Sequence, residues 1–374
     1  MKIVLATGIY PPEIGGPASF TRELARELKK LGQEPCVVCY GDRATAVNDG
    51  WDVVVVSRSG GAFVRYCRYA WRVFRAVKKS DLVFLQGPVS EGLPGTIGAR
   101  LAGKPTMMKV VGDYAWEIYR QKSESNIELL DEFVKHVHGG SVRLLEAIER
   151  WTARRARVVV TPSRFLKSVV SAWGVDPEKI SVIYNSIPPL PETETREALR
   201  ERIGLGANRV ILTVVRAVPW KHGDFLCEVM SKLPDEYRLV IVGDGPSLVA
   251  WKKRVQEIGV EGRVIFTGKQ PREKVAEWYA MADVFVLPSG YEGFPHVVAE
   301  ASSVGLPSIV SDKGGNPETR ELFPNHVEVV SYLDIDAWVK ALLKERPRNK
   351  PEFSRSFGQI ADEYLEMMKK ICAS

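Results

Sequence analysis

The feature that most constrains this chain is an alternation of short apolar runs with amphipathic stretches, which stops once and then restarts. Residues 2–6 read as a strand, and 17–31 as a helix with Phe20, Leu24, Leu28 and Leu31 on one face and Gly32 as its stop. Residues 35–40, 53–56, 82–85, 106–111 and 158–161 follow as strands. Around 185–192 the sequence turns proline-rich and reads as a linker. Strand signals then resume at 210–215, 239–242, 264–267, 284–287 and 308–310. A second proline- and charge-rich stretch, 346–352, precedes a last helix over about 355–371. Alternation of this kind requires parallel sheets covered on both faces. The fold class is therefore α/β, with two Rossmann-like doubly wound domains facing a cleft, 1–188 and 189–354.

Length agrees, since 374 residues exceed one ordinary core. With 45% hydrophobic and 26% charged residues the composition is that of a folded, water-facing protein. The net charge of +6 suits an anionic ligand, a phosphate-bearing acceptor or an anionic membrane surface. It is too small and too spread out to argue for nucleic acid. The apolar start, Met1 to Ala6, is too short for a signal peptide, and no run reaches transmembrane length. The five cysteines form no disulfide framework, so a cytoplasmic location is expected. Cys36 and Cys39 make a C-x-x-C inside an apolar strand, which reads as structural rather than redox-active or metal-binding.

Ligands of open parallel sheets bind beyond the carboxyl ends of the strands. After 284–287 comes Pro288-Ser289-Gly290-Tyr291-Glu292-Gly293-Phe294-Pro295, with a helix starting near Pro295 and Glu300 inside it. A helix start receives phosphate, and a carboxylate accepts from two hydroxyls, as a ribose diol or a sugar edge presents them. The alternative is a loop glutamate and a solvated helix glutamate. After 210–215 stand Arg216 and Lys221, a fork and a point charge suited to a leaving diphosphate, or else two surface cations. Gly15-Gly16, Gly243-Asp244-Gly245, Gly305 and Gly314-Gly315 sit in strand-to-helix loops where backbone can approach phosphate, although each also reads as an ordinary turn.

In this order, with Thr161-Pro162-Ser163 and Ile183-Tyr184-Asn185 between them, these elements resemble the GT-B retaining glycosyltransferases of family 4 over nearly the whole chain. The resemblance implies a transfer from a nucleotide-diphosphate sugar to a hydroxyl acceptor that is a glycan, a lipid-linked sugar or a phosphorylated sugar. It implies that Glu300 holds the ribose, and that Glu292 with Gly293, Phe294 and Pro295 holds the sugar. Arg216 and Lys221 neutralise the diphosphate, Gly243 and Asp244 line the donor site, and Gly15 and Gly16 bring amides to the phosphates as the domains close. The last helix, 355–374, rejoins the N-terminal domain. No cofactor and no metal are implied, and the leaving phosphate takes the acceptor proton.

One departure stands out. Where the family commonly has a histidine, Asp113 follows the strand 106–111, as a sugar-binding or acceptor-orienting group or as a turn aspartate. The aspartate usual after Asn185 is replaced by Ser186-Ile187-Pro188. The alternative to an active enzyme is a catalytically silent nucleotide-sugar-binding subunit. Asp334-Ile335-Asp336 precedes a helix and reads as a cap rather than a metal motif. His136 and His138 read as surface residues, while His222 and His296 border the donor loops as ligand contacts or packing groups. Residues 63–79 carry Arg65, Arg68, Arg72, Arg75, Lys78 and Lys79 at helical spacing, interleaved with Tyr66, Tyr69, Trp71 and Phe74. That stretch is either a peripheral contact with an anionic membrane at the inner face or a domain helix with a solvated basic face.

Overall fold

Two all-parallel sheets carry the chain in this computed structural model, which describes residues 1–13, 15–41, 49–122, 129–187, 189–349 and 355–373. The first sheet contains β1 (Lys2–Thr7), β2 (Glu34–Tyr40), β3 (Asp52–Val56), β4 (Leu82–Leu85), β5 (Thr106–Lys109), β6 (Val158–Thr161) and β7 (Ile180–Val182). Its spatial order is β3-β2-β1-β4-β5-β6-β7. The second contains β8 (Arg209–Val214), β9 (Tyr237–Val242), β10 (Val264–Gly268), β11 (Val284–Leu287), β12 (Ser308–Ser311) and β13 (Val327–Val330), ordered β10-β9-β8-β11-β12-β13. Every strand pairing is parallel.

The residues explain this arrangement. β4, β5, β11 and β12 are buried along their full length, as strands covered on both faces must be. β7 and β13 escaped the sequence reading because Ile-Ser-Val and Val-Glu-Val-Val are short and carry polar residues. The strand expected over 106–111 ends at Lys109, because Asp113 already begins the next helix, Tyr114–Lys122.

Two compact units result. One comprises Met1–Ser123, Leu130–Ser186 and Arg355–Ser374, and the other is built on Ile187–Ser354. In the first, helices Gly16–Lys30 and Phe357–Ala373 cover one sheet face: Leu24, Leu28, Tyr364 and Met368 bury against Ile3, Leu5 and Phe84. Phe20 sets its ring edge-on to Tyr364 at 5.7 Å. The last helix thus belongs to the N-terminal core, as GT-B folds require. Pro188 and residues 350–352 of the two proline-rich stretches lie outside the described residues.

Cys36 and Cys39 are three positions apart on β2, so their side chains leave opposite faces. Burial pushes their thiols up to about 11 and about 12, leaving both inert. Asp334 accepts from the Ala337 amide at 3.0 Å and caps helix Ile335–Leu343. No described helix is long and apolar enough to cross a membrane.

Candidate active site

In the six-stranded sheet the chain order reverses between the neighbours β8 and β11. Loops leaving such a switch point diverge and open a crevice at the strands' carboxyl ends. β8 delivers Arg216 and Lys221 to it. β11 delivers Glu292, Gly293, Phe294 and Pro295, then the helix His296–Ser303. Lys221 Nζ and Glu292 Oε1 meet in an ion pair, with their side chains 15% and 12% exposed. Arg216 is exposed and, among the described residues, has no carboxylate partner.

Glu300 projects from the helix His296–Ser303, where Oε2 accepts from the Tyr279 hydroxyl at 3.1 Å. Burial pushes its carboxyl above the ordinary range, while Arg272 and the Tyr279 bond pull it back. Tyr279 is itself fully buried. No side chain caps the start of this helix at Pro295, so a ligand can take its amide groups.

The loop bearing Glu292 is held from two sides. Gly315 N donates to Glu292 O at 2.8 Å, and a Cβ on Gly314 (φ +61) would lie 2.7 Å from Glu292 N. Gly290 N donates to Trp220 O at 2.9 Å, tying this loop to the one bearing Lys221. His222, buried and left-handed at φ +50, meets the Tyr332 hydroxyl through Nε2 at 2.6 Å. A Cβ on Gly290 would sit 2.7 Å from that same hydroxyl. His222 is therefore a packing residue of the site, while His296 is exposed and edges against Phe294 at 5.3 Å.

Gly243 follows β9 with φ +132, and a Cβ there would come within 1.8 Å of Val215 O. Its glycine serves the stacking of two loops. Asp244 is exposed, its Oδ1 accepting from Gly245 N at 2.7 Å. Gly16 behaves differently: it opens the helix Gly16–Lys30 after Gly15, no side chain caps that helix, and an added Cβ meets nothing within 4 Å.

Asp113 is held by its own unit. It is 1% exposed, Oδ1 accepts from the Trp116 amide at 2.8 Å, and Oδ2 accepts from Trp173 Nε1 at 3.3 Å. Glu149 lies beside it, fully buried, with Oε1 accepting from the Tyr114 amide at 2.8 Å. Burial, and for Glu149 the Asp113 charge, raise both carboxyls above their ordinary range.

Comparison with known proteins decides the family. Residues 195–361 match the model for glycosyl transferases group 1, and 15–186 match a glycosyl transferase 4-like domain. A GDP-mannose-dependent alpha-(1-6)-phosphatidylinositol monomannoside mannosyltransferase of Mycolicibacterium smegmatis is 32% identical over 362 residues, 91% of this chain and 88% of that protein. The chain belongs to the group 1, 4-like family of glycosyltransferases. A UDP-Gal:alpha-D-GlcNAc-diphosphoundecaprenol alpha-1,3-galactosyltransferase of Escherichia coli is 30% identical over 284 residues, 71% of this chain and 66% of that protein. Anabaena HepE in complex with UDP shares the fold with a TM-score of 0.74 at 17% identity, over 100% of this chain and 98% of that one. The protein is thus a nucleotide-sugar glycosyltransferase of GT-B type.

The first sheet of this glycosyltransferase has its own switch point, between β1 and β4. A pocket of about 180 Å³ opens there, lined by Gly8, Tyr40, Arg58, Arg65 and Ser90. Tyr40 OH donates to Ser90 O at 2.9 Å, Arg58 reaches Glu13 at 2.8 Å, and Arg65 lies 5.8 Å over the Tyr40 ring. Glu91, buried behind them, would touch a Cβ on Gly8 through Oε2 at 3.1 Å. Sequence reasoning missed Tyr40, which ends β2, Arg58, which follows β3, and Ser90 and Glu91, which follow β4.

Helix Ala62–Val77 carries the basic stretch. Tyr69, Val73 and Val77 are buried, while Phe63 at 82% and Trp71 at 56% are exposed, as are Arg72 and Arg75. Arg68 donates to Ser59 O at 3.2 Å, in the segment just before the helix. His138, expected at the surface, instead stacks on Phe133 at 3.8 Å with its side chain 9% exposed, because the ring covers that aromatic. Among the described residues, no group of three or more His, Cys, Asp or Glu side chains is placed to hold a metal ion.

Proposed function

We propose that this glycosyltransferase moves mannose, with retained anomeric configuration, from GDP-mannose to a phosphate-bearing lipid-linked acceptor. The observation that carries the reading is the gathering of Arg216, Lys221, Glu292 and Glu300 at the β8–β11 switch point. Glu300 takes the ribose diol through its two oxygens. Arg216, Lys221 and the uncapped helix start at Pro295 neutralise the diphosphate as its charge develops, which is the largest contribution a protein makes to such a step. Glu292 and the adjoining backbone of Gly293 and Phe294 hold the sugar.

The acceptor hydroxyl forms the new bond at the anomeric carbon as the bond to the diphosphate breaks, and its proton passes to the leaving phosphate oxygen. That route suits a donor loop whose carboxylate is already committed, Glu292 to Lys221. With two cations on the leaving group, the step needs no metal ion. The GDP-mannose donor is supported by the name of the mycobacterial relative. The names of that relative and of the Escherichia coli one both describe acceptors carrying phosphate. Arg58 and Arg65 in the β1–β4 pocket offer such a group its counter-charge, and the exposed Phe63 and Trp71 of the basic helix favour an anionic membrane surface at the inner face.

The test is transfer from GDP-mannose to phosphatidylinositol mannoside and to polyprenyl-diphosphate sugars, with chelator present, and the product's anomeric configuration read by proton NMR. An α-linked product is expected. A β-linked product overturns retention, and donor binding with no transfer to any acceptor means a silent binding subunit.

A further inference from the structure

A second polar pocket of this chain has no part in the chemistry above. It lies at the opposite edge of the first sheet, beside the amino ends of β4, β5 and β6, and measures about 620 Å³. Arg100, Lys104, Arg155 and Arg157 line it with Asp81 and Cys372. Among the described residues none of the four cations has a carboxylate partner. Asp81 is tied down, its Oδ2 accepting from the Lys2 amide at 2.8 Å.

The cations are positioned by the fold. Arg157 leads into β6, its amide donating to Thr106 O at 2.8 Å. Lys104 follows helix Gly92–Leu101 with its amide on Ala99 O at 3.0 Å. Arg155 spreads its guanidinium over the Trp151 ring at 4.2 Å, which holds a flexible side chain in one place.

Helix carboxyl ends attract cations without any ligand, and three helices end near this pocket: Gly92–Leu101, Gly140–Arg155 and Phe357–Ala373. Each end supplies about half a negative charge. Three ends and Asp81 together offset roughly two and a half of the four positive charges. The four cations therefore outweigh what the helix ends and Asp81 offset, and the chain's amino terminus adds to the positive side at Cys372.

We infer that this pocket is an anion site for a phosphate or diphosphate group, separate from the donor and acceptor sites. The inference stands independently of the function proposed above.

Cys372 reports on it. Its thiol is exposed in the pocket, and Cys67, exposed on helix Ala62–Val77 and not among the lining residues, serves as the reference. The full chain is alkylated with iodoacetamide, and both sites are followed by peptide mass spectrometry. The probes are inorganic pyrophosphate, phosphatidylglycerol vesicles and phosphatidylcholine vesicles. At about ten times its dissociation constant a ligand slows Cys372 alkylation roughly tenfold. Slowing by pyrophosphate identifies a free polyanion, and slowing by phosphatidylglycerol vesicles alone identifies a lipid headgroup. Either effect must disappear in the Arg100→Ser, Arg157→Ser double variant, whose unfolding midpoint and circular dichroism show that the fold is kept. Unchanged Cys372 reactivity with all three probes, or protection that persists in the variant, overturns the inference.

Discussion

The Lys221 ammonium is ion-paired to the Glu292 carboxylate across the β8–β11 switch point, with both side chains largely shielded from water. The proposed mechanism gives these groups different ligands, the diphosphate and the sugar. In Glu292→Gln the lysine loses its internal partner and is left for the diphosphate. GDP binding should then strengthen by about 1 kcal/mol, while transfer falls by about a hundredfold. Titration calorimetry and initial rates check both halves. A rate loss with GDP affinity weakened in step would mean that the pair only maintains the loops.

Tyr279→Phe removes the hydroxyl that Glu300 accepts from. Burial already raises that carboxyl, and losing a bond to its ionised form raises it further. In the proposed role Glu300 binds the ribose as the carboxylate, so GDP affinity should be lost as pH falls through this group's pKa. The variant should lose affinity at a higher pH than the wild type, read from binding curves between about pH 5 and pH 8.

Gly243→Ala places a Cβ 1.8 Å from Val215 O at a positive φ, and should cost more than about 2 kcal/mol of stability. Gly16→Ala meets no atom within 4 Å. It should leave the unfolding midpoint unchanged and weaken donor binding. Denaturation curves and donor titrations of the two variants separate a glycine needed by the fold from one needed by a ligand.

Asp113 and Glu149 are buried side by side with raised carboxyl pKa values. The sign follows from linkage. Below about pH 4 folded and unfolded chains are both protonated, and above it the unfolded chain ionises first. Stability therefore falls as pH rises toward the folded pair's own titration. Glu149→Gln keeps the acceptor for the Tyr114 amide and removes one charge. Its midpoint should exceed that of the wild type at neutral pH and converge with it in acid, as calorimetry at several pH values can read.

Replacing Arg65, Arg68, Arg72 and Arg75 with Ser tests the membrane reading of helix Ala62–Val77. Wild-type protein should float with anionic vesicles and be released by salt, because the attraction is screened beyond about 10 Å at 0.1 M. Unchanged flotation of the variant would exclude this helix as the contact.

Much of this was legible in the sequence because parallel sheets write themselves as continuous apolar runs. The loops bearing Arg216, Lys221, Glu292 and Gly314-Gly315 were placed at strand ends by that pattern alone. Glu300 was readable on its helix, but its Tyr279 partner was not, since the two meet 21 positions apart through tertiary packing. The pairing of Lys221 with Glu292 was equally hidden, at 71 positions. Asp113 was readable as a polar residue at a strand end, but its bonds to Trp116 and Trp173 were not, the second being made 60 positions away. Gly243 was readable as a loop glycine, but its close approach to Val215 O was not, because that contact comes from tertiary stacking of two loops. Arg58 and Ser90 carried no local signal, and only the strand order brings their loops to one pocket.

The central claim is that the crevice at β8 and β11 is a GDP-mannose site organised by Glu300. The most direct measurement is thermal unfolding of the wild type and Glu300→Ala against GDP-mannose, UDP-glucose, UDP-galactose and ADP-glucose. At a hundred times its dissociation constant the true donor adds about 2.7 kcal/mol to stability. The account predicts a rise in midpoint with GDP-mannose for the wild type, lost in Glu300→Ala. An equal rise in both proteins, or no rise with any nucleotide sugar, would contradict it.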